Sequence, residues 1–348
     1  MKMSRLGNTD QFVSELCLGT MTYGTQTSQE DAFCQMDLAF EAGINIFDTA
    51  ELYPVNPISQ KTQGDSERIV GRWLKQRGKR DNVYIATKIA GEGMKLIRNG
   101  EPITSKNLPM AVEASLRLLQ TDYIDLYQIH WPNRGSYMFR QNWNFDPSRQ
   151  NPQQTLDNML DVLEGMNELV KVGKVRHFGL SNESAWGTAQ WLHIASQHGL
   201  PKVETLQNEY SLLCRLYDTD LSELSFNENV GLLAYSPLAT GLLTDKYQNG
   251  CVTPLNSRMA LNPTLGGRVT PRVWPAIETY KAIAEKYHMS LTHMSLAWCR
   301  YRPFMASAII GATHSDQLKY LLKAVDVALP EECLLAINNA HREHPMPF

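Results

Sequence analysis

Four side chains in the first 130 residues could share one reaction: Asp48, Tyr53, Lys88 and His130. A free phenol keeps its proton up to a pH of about 10, and a lysine ammonium to about 10.4. A protonated lysine beside the phenol favours phenolate and so lowers that value. A carboxylate next to the lysine holds it charged and in place. An imidazole in the same cluster can orient a carbonyl oxygen or share the phenol's proton. Together they make Tyr53 a general acid able to protonate an alkoxide near neutral pH. Such a set needs no metal and no covalent intermediate. It does need two electrons from elsewhere, so a hydride-carrying cofactor is implied.

Taken singly, each residue has a plainer use. Asp48 could cap a turn, Tyr53 could pack on a loop, Lys88 could be solvated, and His130 could be structural. Their placement argues against coincidence, because they fall at the ends of consecutive apolar runs. Eight such runs occur, at 15–19, 44–49, 83–88, 124–130, 175–181, 203–208, 231–236 and 305–311. Several are rich in β-branched or aromatic residues and end in polar ones, as parallel strands buried on both faces do. Helical spacing follows them, at 65–77, 108–119, 155–171, 184–198, 274–287 and 316–325. A further helix begins at Ser28, with Asp31 three residues on, as in a capping box.

This alternation predicts a (β/α)8 TIM barrel, one domain over 1–348, with long loops at the carboxyl end of the strands. A doubly wound open sheet is the competitor. Its G-x-G-x-x-G fingerprint is absent after the first run, and Gly91-Glu92-Gly93 lacks the third glycine. In a barrel the carboxyl ends of all strands meet at one mouth, so the four residues would converge. Three segments break the rhythm. Residues 53–64 are rich in proline and polar side chains. Residues 131–152 hold Trp131, Tyr137, Phe139, Trp143 and Phe145. Residues 249–272 hold Arg258, Arg268 and Arg272 beside Gly266-Gly267. Loops this long inside a compact domain are often functional.

Composition narrows the classes. Of 348 residues, 43% are hydrophobic and 20% charged, enough for a large core and against disorder. The net charge of −3 leaves no electrostatic footprint for nucleic acid or an anionic membrane. Six cysteines include no C-x-x-C pair and no zinc spacing, which fits a reduced, cytoplasmic compartment and no metal. No apolar core of a signal peptide opens the chain, and no run of 18 apolar residues predicts a membrane span.

Ordered short motifs add a resemblance. They are Gly19-Thr20-Met21, Asp48-Thr49-Ala50-Glu51-Leu52-Tyr53, Ala86-Thr87-Lys88, Asp125 through Pro132, Ser181-Asn182, Gln207-Asn208-Glu209-Tyr210 and Ala234-Tyr235-Ser236-Pro237-Leu238. In this order they resemble the aldo-keto reductase family over nearly the whole chain. Tyr53-Pro54-Val55-x-Pro57 and Gly311-Ala312-Thr313 look most like its Tas-type bacterial members. The resemblance implies a (β/α)8 fold, extended NADPH (NADP+), and reduction of a small-molecule aldehyde or ketone. It gives Tyr53 the acid/base role, with Asp48, Lys88 and His130 as partners. Gly19, Thr20, Met21 and Asp48 would border the cofactor. Ser181, Asn182 and Gln207 would read the carboxamide, although Ser181-Asn182 reads equally well as a helix N-cap. Tyr235 would stack on the nicotinamide. Ser236, Pro237, Leu238, Gly241, Leu243 and Lys246 would wrap the pyrophosphate. Gly311, Ala312, Thr313, His314 and Gln317 would meet the adenosine end, where a helix N-terminus can hold phosphate. Tyr23, Tyr53, His130 and Trp131, with Met21, would face the substrate.

Two departures stand out. Many relatives carry arginine where Gln317 stands, and they commonly place Glu-Asn where Tyr320-Leu321 stand. Lys246, His314 or an arginine of 258–272 could replace the missing charge at the 2′-phosphate. Two other readings fit parts of the pattern: a nucleotide-binding regulatory subunit with little turnover, like the channel-associated relatives, and a barrel aldolase using Lys88 as a Schiff-base nucleophile.

Overall fold

In the computed structural model, which describes residues 1–348, eight parallel strands close into a barrel. They are β3 (Leu16–Gly19), β4 (Ile46–Asp48), β5 (Tyr84–Ile89), β6 (Ile124–Ile129), β7 (Val175–Ser181), β8 (Val203–Glu209), β9 (Gly231–Tyr235) and β10 (Met305–Ile310). Each strand pairs with the next in chain order, and β10 closes on β3. All eight predicted runs are these strands, with bounds that differ by at most two residues. Every residue of β3, β4, β5, β6 and β10 is buried. That is why they read as unbroken apolar runs rather than alternating ones.

Helices surround the barrel: α1 (Gln29–Glu41), α2 (Asp65–Arg77), α3 (Leu108–Leu119), α4 (Pro152–Lys171), α5 (Ala185–His198), α6 (Asp220–Glu228), α7 (Arg258–Leu261), α8 (Val273–Lys286), α9 (Leu291–Tyr301), α10 (Ser315–Leu322) and α11 (Glu331–Glu343). Ser28 caps α1 by accepting from the Asp31 N–H, as its spacing predicts. No helix is long and apolar enough to cross a membrane.

Several elements lie outside the sequence expectations. β1 (Met3–Arg5) and β2 (Phe12–Ser14) form an antiparallel hairpin, too short to display an alternation. It delivers Leu6 and Val13 to the lower end of the barrel, where they pack with Cys17, Ile46, Leu126 and Leu233. The active-site layer therefore rests on an apolar plug. Helices α6, α7, α9 and α11 are likewise absent from the sequence expectations. In α9, eight of eleven residues are buried, Leu291, Thr292 and Met294 through Cys299, so no polar face marks its period.

Candidate active site

Strand register sets the site. Asp48 pairs with Ala86, Lys88 lies two residues further along β5, and Lys88 pairs with Gln128 on β6. Residues two apart on a strand share a face. Asp48, Lys88 and Gln128 therefore point into the barrel, with His130 at the next level. Lys88 is completely buried, and its Nζ donates to Asp48 Oδ2 at 2.8 Å and to the Thr49 carbonyl at 2.7 Å. Gln207 Nε2 donates to the other Asp48 oxygen at 2.8 Å. Lys88 Nζ lies 4.9 Å from the centre of the Tyr53 ring. Tyr53 meets the His130 ring nearly edge-on, at 5.8 Å and 77°. All four residues are thus assembled, and a solvated Lys88 is excluded.

Charge states follow from burial and neighbours. Burial alone would strip Lys88 of its proton, but the Asp48 carboxylate and Tyr53 reverse this and hold its value above the ordinary one. Tyr53 departs from expectation. Burial raises it, Lys88 and Arg258 pull it down, Asp48 pushes it up again, and the net direction is upward. A lysine neighbour does not make this phenol more acidic, because dehydration outweighs it. Tyr53 therefore stands in its acid form. An alkoxide is a far stronger base than a phenolate, so proton transfer to it remains downhill. Burial and then Lys88 drive His130 well below its usual value, so the ring is neutral. Its Nδ1 is buried without a partner.

The predicted nicotinamide residues divide. Ser181, Asn182 and Gln207 lie together, but much of their bonding is internal. Ser181 Oγ donates to the Gln207 carbonyl at 2.8 Å. Asn182 Nδ2 donates to the His130 carbonyl at 2.9 Å, and its Oδ1 accepts from the Tyr235 hydroxyl at 2.8 Å. Asn182 thus fixes His130 and Tyr235 to each other. The N-cap of α5 is Ser184, so the capping alternative for Ser181-Asn182 fails. Thr20 is fully buried and holds the Asp48 carbonyl through its hydroxyl at 3.0 Å; it supports the carboxylate rather than facing a groove. Gly19 is demanded by packing, since a Cβ there would stand 2.8 Å from Ile309 Cγ2.

Beyond Tyr235 the backbone turns sharply. Ser236, Ala239, Thr240 and Gly241 all have positive φ, of 53°, 46°, 57° and 101°. Successive left-handed residues make concave sites for anions. At 101° the Gly241 φ favours glycine, and Lys246 Nζ lies close to where a Cβ would stand. Pro237 lines this turn and is buried, Leu238 is half-buried, and the Leu243 side chain is wholly within the core, which leaves only its backbone for a ligand. Lys246 and Arg258 are half-buried, and neither forms a salt bridge, unlike Arg140 and Arg268 nearby. Burial, then Arg258, lowers Lys246, and burial, then Arg268, lowers Arg258. Two half-buried cations without salt-bridge partners thus lie beside this turn. Arg258, in a segment the sequence singles out only collectively, also approaches Met21 Sδ at 3.9 Å.

The adenosine end differs from expectation. The α10 N-terminus is already filled by protein acceptors. Gln317 Oε1 takes the Thr313 N–H and hydroxyl at 3.0 and 3.1 Å. Asp31 Oδ1 takes the Ser315 N–H at 3.2 Å and its hydroxyl. Gln35 Nε2 holds the other Asp31 oxygen at 2.7 Å, and Gln35 Oε1 accepts from the Tyr23 hydroxyl at 3.3 Å. Tyr23 is thereby corrected. It is completely buried against α1 and anchors this chain of bonds; it does not face substrate. Gly311 and His314 are exposed, and Ala312 is buried with its carbonyl accepting from Thr22.

On the substrate side Trp131 is half-buried beside His130, with ring centres 5.0 Å apart, and its Nε1 donates to the Glu92 carbonyl at 3.0 Å. Gly91 makes this possible, since a Cβ there would come within 2.5 Å of the Trp131 ring. Phe139 meets Trp131 edge-on at 6.4 Å. Tyr137 and Phe139 also line a narrow cavity with Leu213, Met346 and Phe348. The two long loops are joined at Glu209, which accepts from Arg140 of one at 2.7 Å and Arg268 of the other at 2.6 Å.

Comparison with known proteins agrees with this architecture. Residues 15–342 match the model of the "Aldo/keto reductase family". "Protein tas" of Escherichia coli (strain K12) is 40% identical over all of this chain and 99% of its own length. "Uncharacterized oxidoreductase YrpG" of Bacillus subtilis (strain 168) is 31% identical over 97% of this chain and 95% of its own. A "Probable voltage-gated potassium channel subunit beta" of Arabidopsis thaliana is 30% identical over 94% and 92%. With its closed eight-stranded barrel and a match over nearly its full length, the chain belongs to the aldo/keto reductase family.

Proposed function

We propose that the chain reduces aldehydes or ketones to alcohols, with NADPH as hydride donor and Tyr53 as proton donor. The observation that carries this reading is the cluster of half-buried Tyr53 with buried Lys88, Asp48 and His130 at one barrel mouth. The residues toward the cofactor fit it. Tyr235, Ser181, Asn182 and Gln207 would hold the nicotinamide, and the turn 236–241 with Lys246 and Arg258 would hold its phosphates. When bound, NADPH supplies the hydride. The neutral His130 offers one N–H to the carbonyl oxygen and orients it. Tyr53 passes its proton to that oxygen as charge develops there. The Lys88 ammonium then faces the resulting phenolate, and Asp48 keeps that ammonium charged. Trp131 and Phe139 give the pocket an aromatic wall, which suits a partly apolar substrate.

The same charge state argues against an aldolase. A Schiff-base lysine attacks as the neutral amine, and Asp48 holds Lys88 protonated. The likeness to a channel β-subunit favours a second reading, a nucleotide-binding regulator. One experiment separates them. Purified protein is mixed with NADPH and a panel of aliphatic, aromatic and dicarbonyl substrates, and absorbance loss is followed. Turnover of several members is expected. Tight nucleotide binding with no turnover would favour the regulator, and no binding of either nucleotide would end both readings.

A further inference from the structure

The side chains behind the four-residue centre are polar, buried and unassigned. α2 opens with Asp65, Ser66 and Glu67, and the last two are completely buried. Polar residues in the first turn of a helix ordinarily face water. These face the sheet. Ser66 Oγ donates to the Thr20 carbonyl at 2.8 Å and lies 2.7 Å from Thr20 Oγ1 and 3.1 Å from Thr49 Oγ1. Thr20 and Thr49 both touch the centre: Thr20 Oγ1 donates to the Asp48 carbonyl, and the Thr49 carbonyl accepts from Lys88. Ser66 therefore ties together the two chain segments that flank Asp48.

Glu67 does the same for Lys88 from the opposite face of β5. The Thr87 hydroxyl donates to Glu67 Oε1 at 2.6 Å, and Thr87 and Lys88 are neighbours whose side chains lie on opposite faces. Glu67 Oε2 has no partner, and no cation bonds to the carboxyl. The groups around it are Thr87 of β5, Tyr127 of β6, Ser115 of α3 and Glu51 of the segment before α2, with Lys88 across the strand. Glu51 is itself neutralised by Arg98, at 2.7 Å. The Tyr127 and Ser115 hydroxyls also lack well-directed partners. This is a polar pocket without a counter-charge, sealed between helix and sheet. Burial is the chief reason that the Glu67 carboxyl is pushed up to about 7.

We propose that Ser66 and Glu67 are positioning residues of the reductase centre: the first turn of α2 sets the placement of Asp48 and Lys88, and the charge state of Glu67 is felt at Lys88 and Tyr53. The inference rests on the reductase reading for its assay. The sign follows from electrostatics. Below neutrality Glu67 holds its proton and is invisible to Lys88. Above it, a buried negative charge tightens the Lys88 ammonium and raises Tyr53 further, so the phenol becomes a poorer acid.

Two measurements test this on the full-length protein. The first is the pH dependence of kcat and kcat/KM for a turned-over aldehyde, in wild type and Glu67→Gln. Glutamine copies the protonated side chain, so folding should be kept. Wild-type kcat should fall several-fold through pH 7, with KM little changed, and the inflection should be missing from Glu67→Gln. The second is infrared titration of protonated carboxyl groups, which needs no turnover. A band titrating near pH 7 should be present in wild type and absent in Glu67→Gln. As a companion, Ser66→Ala should lower kcat about tenfold, with Ser66→Thr restoring part of it and nucleotide affinity unchanged. Turnover with an identical inflection in both proteins would overturn the inference alone. Absence of the titrating band would do so as well. A protein that binds nucleotide but turns over nothing would instead fail at the reductase reading and take the coupling with it.

Discussion

At the scale of residues, the site depends on one buried ion pair. Lys88 and Asp48 are both buried, and each satisfies the other: removing either strands a charge. Deleting one partner of such a pair typically costs about 3 to 5 kcal/mol. Lys88→Met should therefore destabilise the fold by about that amount in urea unfolding, as well as stopping turnover. A loss of activity with unchanged stability would mean that Asp48 is solvated in solution. All four residues of the cluster were legible in the sequence, Asp48, Lys88 and His130 as polar residues ending apolar runs and Tyr53 on the loop that follows Asp48. The proton affinity of Tyr53 was not. Its neighbours suggested a more acidic phenol, while desolvation in the folded site dictates the reverse. Tyr23 was misplaced for a similar reason. Two residues after Met21 it could face either way, and only the packing of α1 turns it inward to Gln35.

At the scale of elements, the α10 N-terminus is filled by side chains of the protein itself. The α10 N-terminus looked open in the sequence, with Thr313 and His314 ahead of Ser315. It is closed by Asp31 of α1, nearly 300 residues away in the chain, a contact no local pattern could reveal. Burial works against charge on Asp31, but bonds from Ser315 and Gln35 outweigh it and hold the carboxyl below its ordinary range. If the proposed NADPH lies with its 2′-phosphate at this end, the fixed Asp31 charge would oppose it. On the proposed reading, Asp31→Asn should tighten NADP+ binding about tenfold, which is about 1.4 kcal/mol, and leave NAD+ nearly unchanged. Asparagine can still accept from Ser315, so α10 keeps its cap. Titration calorimetry of both nucleotides checks this, and equal shifts in both would count against a role in discrimination.

At the scale of the whole molecule, the barrel was readable because parallel strands buried on both faces announce themselves as apolar runs. The N-terminal hairpin and α9 were not, the first for brevity and the second because burial on all sides erases its period. The loops were recognised as long, but how they join was beyond sequence. Glu209 gathers an arginine from each of them, so the segment carrying the aromatic wall and the segment carrying Arg258 are bound to one strand end. Fold, mouth and loops together bring a protonated phenol, a fixed ammonium and a neutral imidazole to one point. The most direct measurement of that claim is Tyr53→Phe, assayed for aldehyde reduction and, separately, for NADPH binding by fluorescence. Loss of at least about a hundredfold in kcat is expected, within the range that general acid catalysis contributes, with nucleotide affinity retained. Reduction at a near wild-type rate in that variant would contradict it.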